Sequence, residues 1–135
     1  MDGALREAGI EYRHAGELGG RRRAPTNAEP TAWRNAGFHA YATYMRSAEF
    51  TAAVDHLLAL AQEHRTVIMC SEAVPWRCHR NLIADAIVAR RGTVLHIVDT
   101  GVSPHALTSF AVVDGMDVRY PPEPADDVEQ LDLRV

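Results

Sequence analysis

The sequence contains no lysine, and all 14 of its cationic residues are arginine. This absence excludes enzymes that form a Schiff base or use a lysine nucleophile. Only two cysteines, Cys70 and Cys78, occur in 135 residues, and we recognise no secretory signal, so we expect reduced thiols rather than a disulfide framework. The apolar runs are short and broken by charges, which predicts no membrane-spanning helix and makes the cytoplasm the expected compartment.

The length and the charge are those of one small domain. A chain of 135 residues with 47% apolar residues suffices for a single core. The net charge of −4 argues against a protein that coats nucleic acid or anionic membrane with its whole surface, but it is compatible with a local basic patch. We therefore predict one domain over residues 1–135, in which the proline- and acid-rich stretch from 121 onward is a loose tail.

Periodicity predicts helices in the first half of the chain. Gly9 is placed to end a short opening helix, and Ser47 is placed to cap a longer amphipathic one. In the longer helix, apolar residues recur at helical spacing from Phe50 to Ala61. Between the two, residues 15–37 are rich in Gly, Pro and Arg without a period, which indicates a long loop.

The second half predicts strands around a further helix. An apolar run at residues 66–69 leads into Cys70, a helix follows from residue 78 to 91, and a β-branched run occupies residues 93–98. Strand, helix and strand in this order predict a right-handed βαβ unit, and so an α/β domain with a mostly parallel sheet. Asp114-Gly115 between two apolar runs predicts a C-terminal hairpin.

The segment from Cys70 to Arg80 concentrates the reactive side chains. It follows a predicted strand and opens a predicted helix, where ligands of open parallel sheets bind and where backbone N–H groups attract anions. Arg77 and Arg80 would add charge-assisted hydrogen bonds, so we predict a phosphate, sulfate or carboxylate site. The alternative is a structural clasp in which these arginines pair with Glu72, Asp85 or carbonyl groups.

Three residues of this segment are candidates for catalysis. Cys78 at a helix start, beside His79 and two arginines, is a candidate nucleophile, or else a packing residue. Glu72 and His79 are candidate general acids or bases, although His79 could instead cap or orient the loop. Zinc would find suitable donors in Cys70, Cys78 and His79, with His96, but the specific spacing is missing, and we predict no metal and no cofactor.

Two further features lie outside that segment. Gly19, Gly20 and Arg21 open a basic loop that is either a second anion binder or simply solvated. His96 interrupts an apolar strand, as a hydrogen-bonded core histidine does, and His105 is placed to approach the site from a neighbouring loop.

The motif Cys70-Ser71-Glu72 followed by Cys78-His79-Arg80 resembles the bacterial family called domain of unknown function 488. The stretches Gly9-Ile10-Glu11-Tyr12 and Leu18-Gly19-Gly20-Arg21 are similar to an earlier motif of that family, as is the stretch from Tyr41 to Phe50. The resemblance implies a three-layer α/β fold and no assigned activity. It also implies one shared site, comprising Cys70, Glu72, Cys78, His79 and Arg80, with Gly19, Gly20 and Arg21 facing them.

Members of that family usually open with two strands and a helix that this chain lacks, so its first helix resembles the one that follows their second strand. Either this is a shortened member of the family or its start has been moved downstream. If the two strands are absent, we expect exposed sheet edges, for which a homodimer is plausible.

Three functions remain open at this point. The first is an enzyme that binds a small phosphate- or nucleotide-like anion. The second is a non-catalytic module for an anion or, less favoured, for nucleic acid, with Arg21–Arg23 and Arg77–Arg80 forming one basic face. The third is a truncated remnant that depends on dimerisation.

Overall fold

The computed structural model describes residues 2–70, 78–98 and 101–122. Four α-helices come first in this part of the chain: α1 (Asp2–Glu7), α2 (Ala36–Tyr44), α3 (Ala48–Glu63) and α4 (Arg80–Ala89), with a 3₁₀ turn at Gly16–Leu18. Four short strands follow: β1 (Leu95–Val98), β2 (Gly101–Pro104), β3 (Val112–Asp114) and β4 (Asp117–Arg119).

Local chemistry explains where the helices begin and end. The Asn35 side chain accepts hydrogen bonds from two backbone N–H groups at the start of α2, and Ser47 accepts one from Phe50 at the start of α3. Gly9 follows α1 at φ +79°, a conformation in which glycine carries no Cβ penalty. The predicted cap at Ser47, the helix behind it and the stop at Gly9 are confirmed.

The prediction of a three-layer α/β domain with a mostly parallel sheet, which the family resemblance also implied, is wrong. The described strands form two separate antiparallel pairs, β1 with β2 and β3 with β4. Residues 66–70 form no strand, and Val67 and Met69 are at least half exposed. A β-branched run is compatible with a strand, but it does not supply the neighbour that a buried parallel strand requires. The right-handed βαβ unit over residues 66–98 therefore does not form.

The predicted C-terminal hairpin is confirmed. Val112 pairs with Arg119 and Asp114 with Asp117, so the turn lies at Gly115-Met116, one residue later than predicted. Gly115 adopts φ +64°, as a tight hairpin turn requires. The predicted tail lies almost wholly outside the described residues.

The core lies between α2, α3, α4 and β4. Its fully buried side chains include Tyr41 of α2, Phe50 and Val54 of α3, and Leu82 of α4. Trp33 packs edge-on against this core, with its ring 4.9 Å from those of Phe38 and Phe110 and 5.4 Å from that of Tyr120. The loop before α2 is thereby fixed to the hairpin, and α4 is covered along most of its length.

The outer face of the β1–β2 pair is apolar. Leu95, Ile97 and Val102 are each more than half exposed. The homodimer expected from the sequence remains a prediction. In the described part of the chain, no helix is long and apolar enough to cross a membrane.

Candidate functional site

The start of α4 brings the two cysteines together. Cys78, two residues before the first residue of α4, is only 5% exposed. Its sulfur lies 2.7 Å from that of Cys70, and the two are not joined in a disulfide. The backbone N–H of Arg80 donates to the Cys78 sulfur at 3.4 Å. The α4 N-terminus therefore presents an N–H donor, and the positive end of its dipole, to a nearly buried thiol.

His79 lies between this thiol and the loop that precedes α2. Its Nδ1 is 3.4 Å from the Cys78 sulfur, and its ring centroid lies 5.1 Å from that of Tyr41. Burial lowers the pKa of His79 below its ordinary value of 6.5, the positive charge of Arg80 adds to the effect, and a hydrogen bond with the Leu18 backbone opposes it. The imidazole is therefore neutral near pH 7, and a neutral imidazole can accept a proton from a thiol.

Gly20 makes the close approach to His79 feasible. A Cβ at this position would lie 2.5 Å from His79 Nδ1, so a larger residue would have to displace either the loop or the ring. The prediction that the Gly19-Gly20 loop faces the cysteine motif is matched by this packing, whereas an anion-binding role for these glycines is not tested by it.

Arg22 anchors the same loop. Its guanidinium donates to the carbonyl oxygens of Gly16 at 2.8 Å and Gly19 at 3.2 Å, and it lies 3.8 Å from the centre of the Tyr44 ring. Arg21, the predicted anion binder, is exposed. The sequence did not distinguish these two arginines, because their different roles depend on which carbonyl groups the folded loop presents.

Of the remaining predicted site residues, only Arg80 lies in the described part of the chain. Glu72 and Arg77 lie outside the described residues. Arg80 is half-buried, and its charge acts on both His79 and His96. Across residues 2–70, 78–98 and 101–122, no group of three or more His, Cys, Asp or Glu side chains is arranged to hold a metal ion.

A second polar cluster, which the sequence did not predict, is buried beside α4. Asp85 is fully buried and accepts hydrogen bonds from His105 Nε2 at 2.7 Å, from the Thr108 N–H at 3.0 Å, from the Thr108 hydroxyl at 2.6 Å and from the Tyr120 hydroxyl at 2.7 Å. Asn81, one turn earlier on α4, donates to the Thr108 hydroxyl oxygen at 3.2 Å. Asp85 is thus bound by residues from two later segments.

His96 extends this cluster toward the surface. Its Nε2 lies 2.7 Å from His105 Nδ1, so Asp85, His105 and His96 form one continuous hydrogen-bonded chain. Burial lowers the pKa of His96, and its electrostatic interactions with His105 and Arg80 lower that pKa further. Burial and the neighbouring Asp85 raise the pKa of Tyr120, which keeps that hydroxyl a donor. The expectation that His96 is hydrogen-bonded agrees with this geometry, although His96 is only partly buried. His105 follows β2 in a loop, as expected, and its side chain is hydrogen-bonded to Asp85 and His96.

A cavity of about 370 Å³ is lined in part by Tyr120. Thr31, Arg46 and Arg119 are among its lining residues, and none of the predicted site residues lines it. We therefore place the candidate chemistry at α4 and not in this cavity.

Comparison with known proteins gives one match. The family model described as domain of unknown function DUF488 matches residues 1–87. No curated protein and no solved structure gives a significant match. The matched range includes the Gly19-Gly20 loop, Cys70, Cys78, His79, Arg80 and Asp85.

Proposed function

The chain belongs to the DUF488 family, and because that family has no assigned activity, we propose from the site itself that the protein is a thiol-dependent enzyme. Its substrate carries a phosphate- or nucleotide-like anionic group, which binds at the start of α4. Cys78 is the reactive thiol, and His79 is the group that takes its proton.

The observation that carries the proposal is the environment of the Cys78 sulfur. His79 Nδ1 lies 3.4 Å away, and the Arg80 N–H donates to the sulfur at the same distance. When His79 accepts the thiol proton, the S–H electron pair stays on sulfur, and the resulting thiolate is stabilised by the helix N-terminus and by a hydrogen bond from the Cys70 thiol. Such an activated thiolate is the form in which cysteine acts as a nucleophile.

The charge around this sulfur favours an anionic substrate. Arg80 contributes a positive charge at the first turn of α4, and helix N-termini bind anions through unpaired backbone N–H groups. The alternative of a continuous basic face has less support, because Arg22 is turned toward its own loop. We therefore favour a compact anion over an extended nucleic acid.

Thiolate formation is tested by absorbance at 240 nm, which does not require a reagent to reach the buried sulfur. We expect the wild type to gain thiolate absorbance as the pH is raised above 7, and we expect Cys78→Ser to lose most of that gain. A spectrum that Cys78→Ser leaves unchanged would contradict the proposal. Circular dichroism of each variant checks that the fold is kept.

Turnover and binding are tested with simple phosphate probes. We expect hydrolysis of 4-nitrophenyl phosphate to fall about 100-fold or more in Cys78→Ser, because the nucleophile is lost. We expect Arg80→Ala to weaken the binding of inorganic phosphate, measured by calorimetry, by about tenfold or more, since a charge-assisted hydrogen bond is lost. The exposed Arg65→Ala is the matched control and should leave that affinity unchanged. Equal affinities in both arginine variants would argue for a different site.

A further inference from the structure

The hydrogen bonds around Asp85 fix the direction of donation along the histidine chain. Asp85 Oδ1 accepts both the Thr108 N–H and His105 Nε2, so His105 Nε2 carries a proton. In a neutral His105 ring, Nδ1 is then an acceptor, and the atom that donates to it at 2.7 Å is His96 Nε2. A neutral His96 protonated at Nε2 keeps its lone pair on Nδ1.

This lone pair belongs to a ring that is accessible, whereas the groups behind it are not. The His105 side chain is 2% exposed and that of Asp85 is 0% exposed, while His96 is half-buried. Asn81, which follows Arg80 in the first turn of α4, donates at 3.2 Å to the same Thr108 hydroxyl that donates to Asp85, so this cluster packs against the start of the helix. The positive charge of Arg80 also lowers the pKa of His96. The cluster that carries the histidine chain therefore lies beside the helix start at which the proposed anion binds.

We propose that His96 is a general base of this site, and that Asp85 and His105 are the residues that position it. The inference deepens the proposed function, since it assumes that Arg80 holds the anionic group of the substrate. The ligand is then a phosphate-bearing molecule with an adjacent hydroxyl group or an attacking water. His96 Nδ1 takes the proton of that O–H group: an N–H bond forms, the O–H bond breaks, and its electron pair stays on oxygen.

The chain behind His96 stabilises the imidazolium that this step creates. The positive charge on His96 is shared with His105 through the 2.7 Å hydrogen bond and is balanced by the buried Asp85. Thr108 and Tyr120 hold both oxygens of Asp85 in place, so the orientation is kept as the charge develops. If the bonds to Asp85 only held α4 against the later segments, His105 alone would be sufficient. His96 is the residue that extends the hydrogen-bonded chain toward the surface.

The first test determines directly which ring nitrogens of His96 and His105 carry a proton. We expect ¹⁵N NMR of the uniformly labelled chain at pH 7.5 to show His96 and His105 both protonated at Nε2, with the His96 Nδ1 unprotonated. A proton on His96 Nδ1 would overturn the proposal, because the lone pair would then point into the chain. This measurement needs no variant.

The second test measures the reactivity of that nitrogen with diethyl pyrocarbonate, an acyl donor that modifies unprotonated imidazoles. Rates are followed for each histidine by peptide mass spectrometry. We expect Asp85→Asn to slow the acylation of His96 about fivefold, because loss of the buried charge makes Nδ1 less basic and so less nucleophilic. We expect Tyr120→Phe to change the rate less than twofold, since it removes a bond to Asp85 that lies off the chain.

The exposed His56 serves as an internal reference in the same digest. Circular dichroism checks that both variants are folded. If Asp85→Asn and Tyr120→Phe then change the acylation rate of His96 equally, the proposal is refuted and His96 is a purely structural residue. If Asp85→Asn does not fold, the wild-type acylation rate at His96, compared with His56, decides the question: an unreactive His96 refutes the proposal. Acylation is read on histidine alone and requires no reaction at Cys78, so this inference and the proposed thiol chemistry fail separately.

Discussion

Replacing the buried Asp85 by alanine is a perturbation whose cost can be worked out from the structure. The Asp85 side chain is fully buried, and its two oxygens accept four hydrogen bonds. Two come from Thr108, one from His105 and one from Tyr120. Alanine removes both acceptor oxygens, and the four donors, of which those of His105 and Tyr120 are buried and those of Thr108 partly buried, lose their acceptor.

The magnitude follows from the cost of a buried donor that has lost its acceptor, about 1 to 3 kcal/mol. Even at about 1 kcal/mol for each donor, Asp85→Ala lowers the free energy of unfolding by about 4 kcal/mol. That figure lies within the range of about 3 to 5 kcal/mol typical for removing one partner of a buried pair. Since small domains are stable by about 5 to 15 kcal/mol, the loss is a large fraction of the total.

Urea unfolding followed by circular dichroism at 222 nm measures this loss, with two matched variants. Asp55→Ala removes an acid from α3 that is 64% exposed and lies 3.7 Å from Arg90, and it should cost at most about 1 kcal/mol. Asp85→Asn should lose less than half of what alanine loses, because its oxygen still accepts from the Thr108 N–H and from His105 and its amide donates to the two hydroxyls. A loss of under about 1 kcal/mol in Asp85→Ala would refute the reasoning.

Three further predictions concern the loop, the pH dependence and a helix cap. Gly20→Ala should lower stability by about 1 to 3 kcal/mol, because the new Cβ overlaps the His79 ring, whereas Gly16→Ala meets only ordinary contacts at 3.6 Å and should be near neutral; thermal melts of both compare them. The free energy of unfolding should fall as the pH drops below about 6.5, since His79 takes a proton more readily unfolded than folded; the fall should shrink in His79→Gln, measured by urea unfolding at pH 7.5 and 5.5. Ser47→Ala should cost about 1 kcal/mol by the same assay, because the Phe50 N–H at the start of α3 loses its cap.

The parts of the fold that sequence predicted are those set by local chemistry. The cap at Ser47, the stop at Gly9 and the hairpin near Gly115 each depend on side chains or backbone angles within a few residues. The parallel sheet failed because strand pairing is decided by distant neighbours. The β-branched run at residues 95–98 does form a strand, but its partner is the short segment at residues 101–104 and not the run at residues 66–69.

The candidate site divides in the same way. Cys78, His79 and Arg80 stood out because three unusual side chains are adjacent in sequence. Asp85 carried a signal that could have been used: it lies three residues after Leu82, within the apolar stripe that α4 buries. An acid on a buried face requires hydrogen-bond donors. The donors lie 20 to 35 residues away, and nothing in the local sequence identifies them.

The proposed roles of the thiol and of His96 are therefore supported by different kinds of evidence. The family match ends at residue 87, so it includes the cysteine motif and Asp85 but not His96 or His105. The role of the thiol can be argued from both the family motif and the geometry, whereas that of His96 depends on geometry alone. Because α4 carries Cys78 and His79 at its start and Asp85 along its side, a shift of this helix would change the thiol and the histidine chain together. A variant that moved α4 should alter both the 240 nm absorbance and the acylation of His96, while one that affects only Asp85 should alter the second alone.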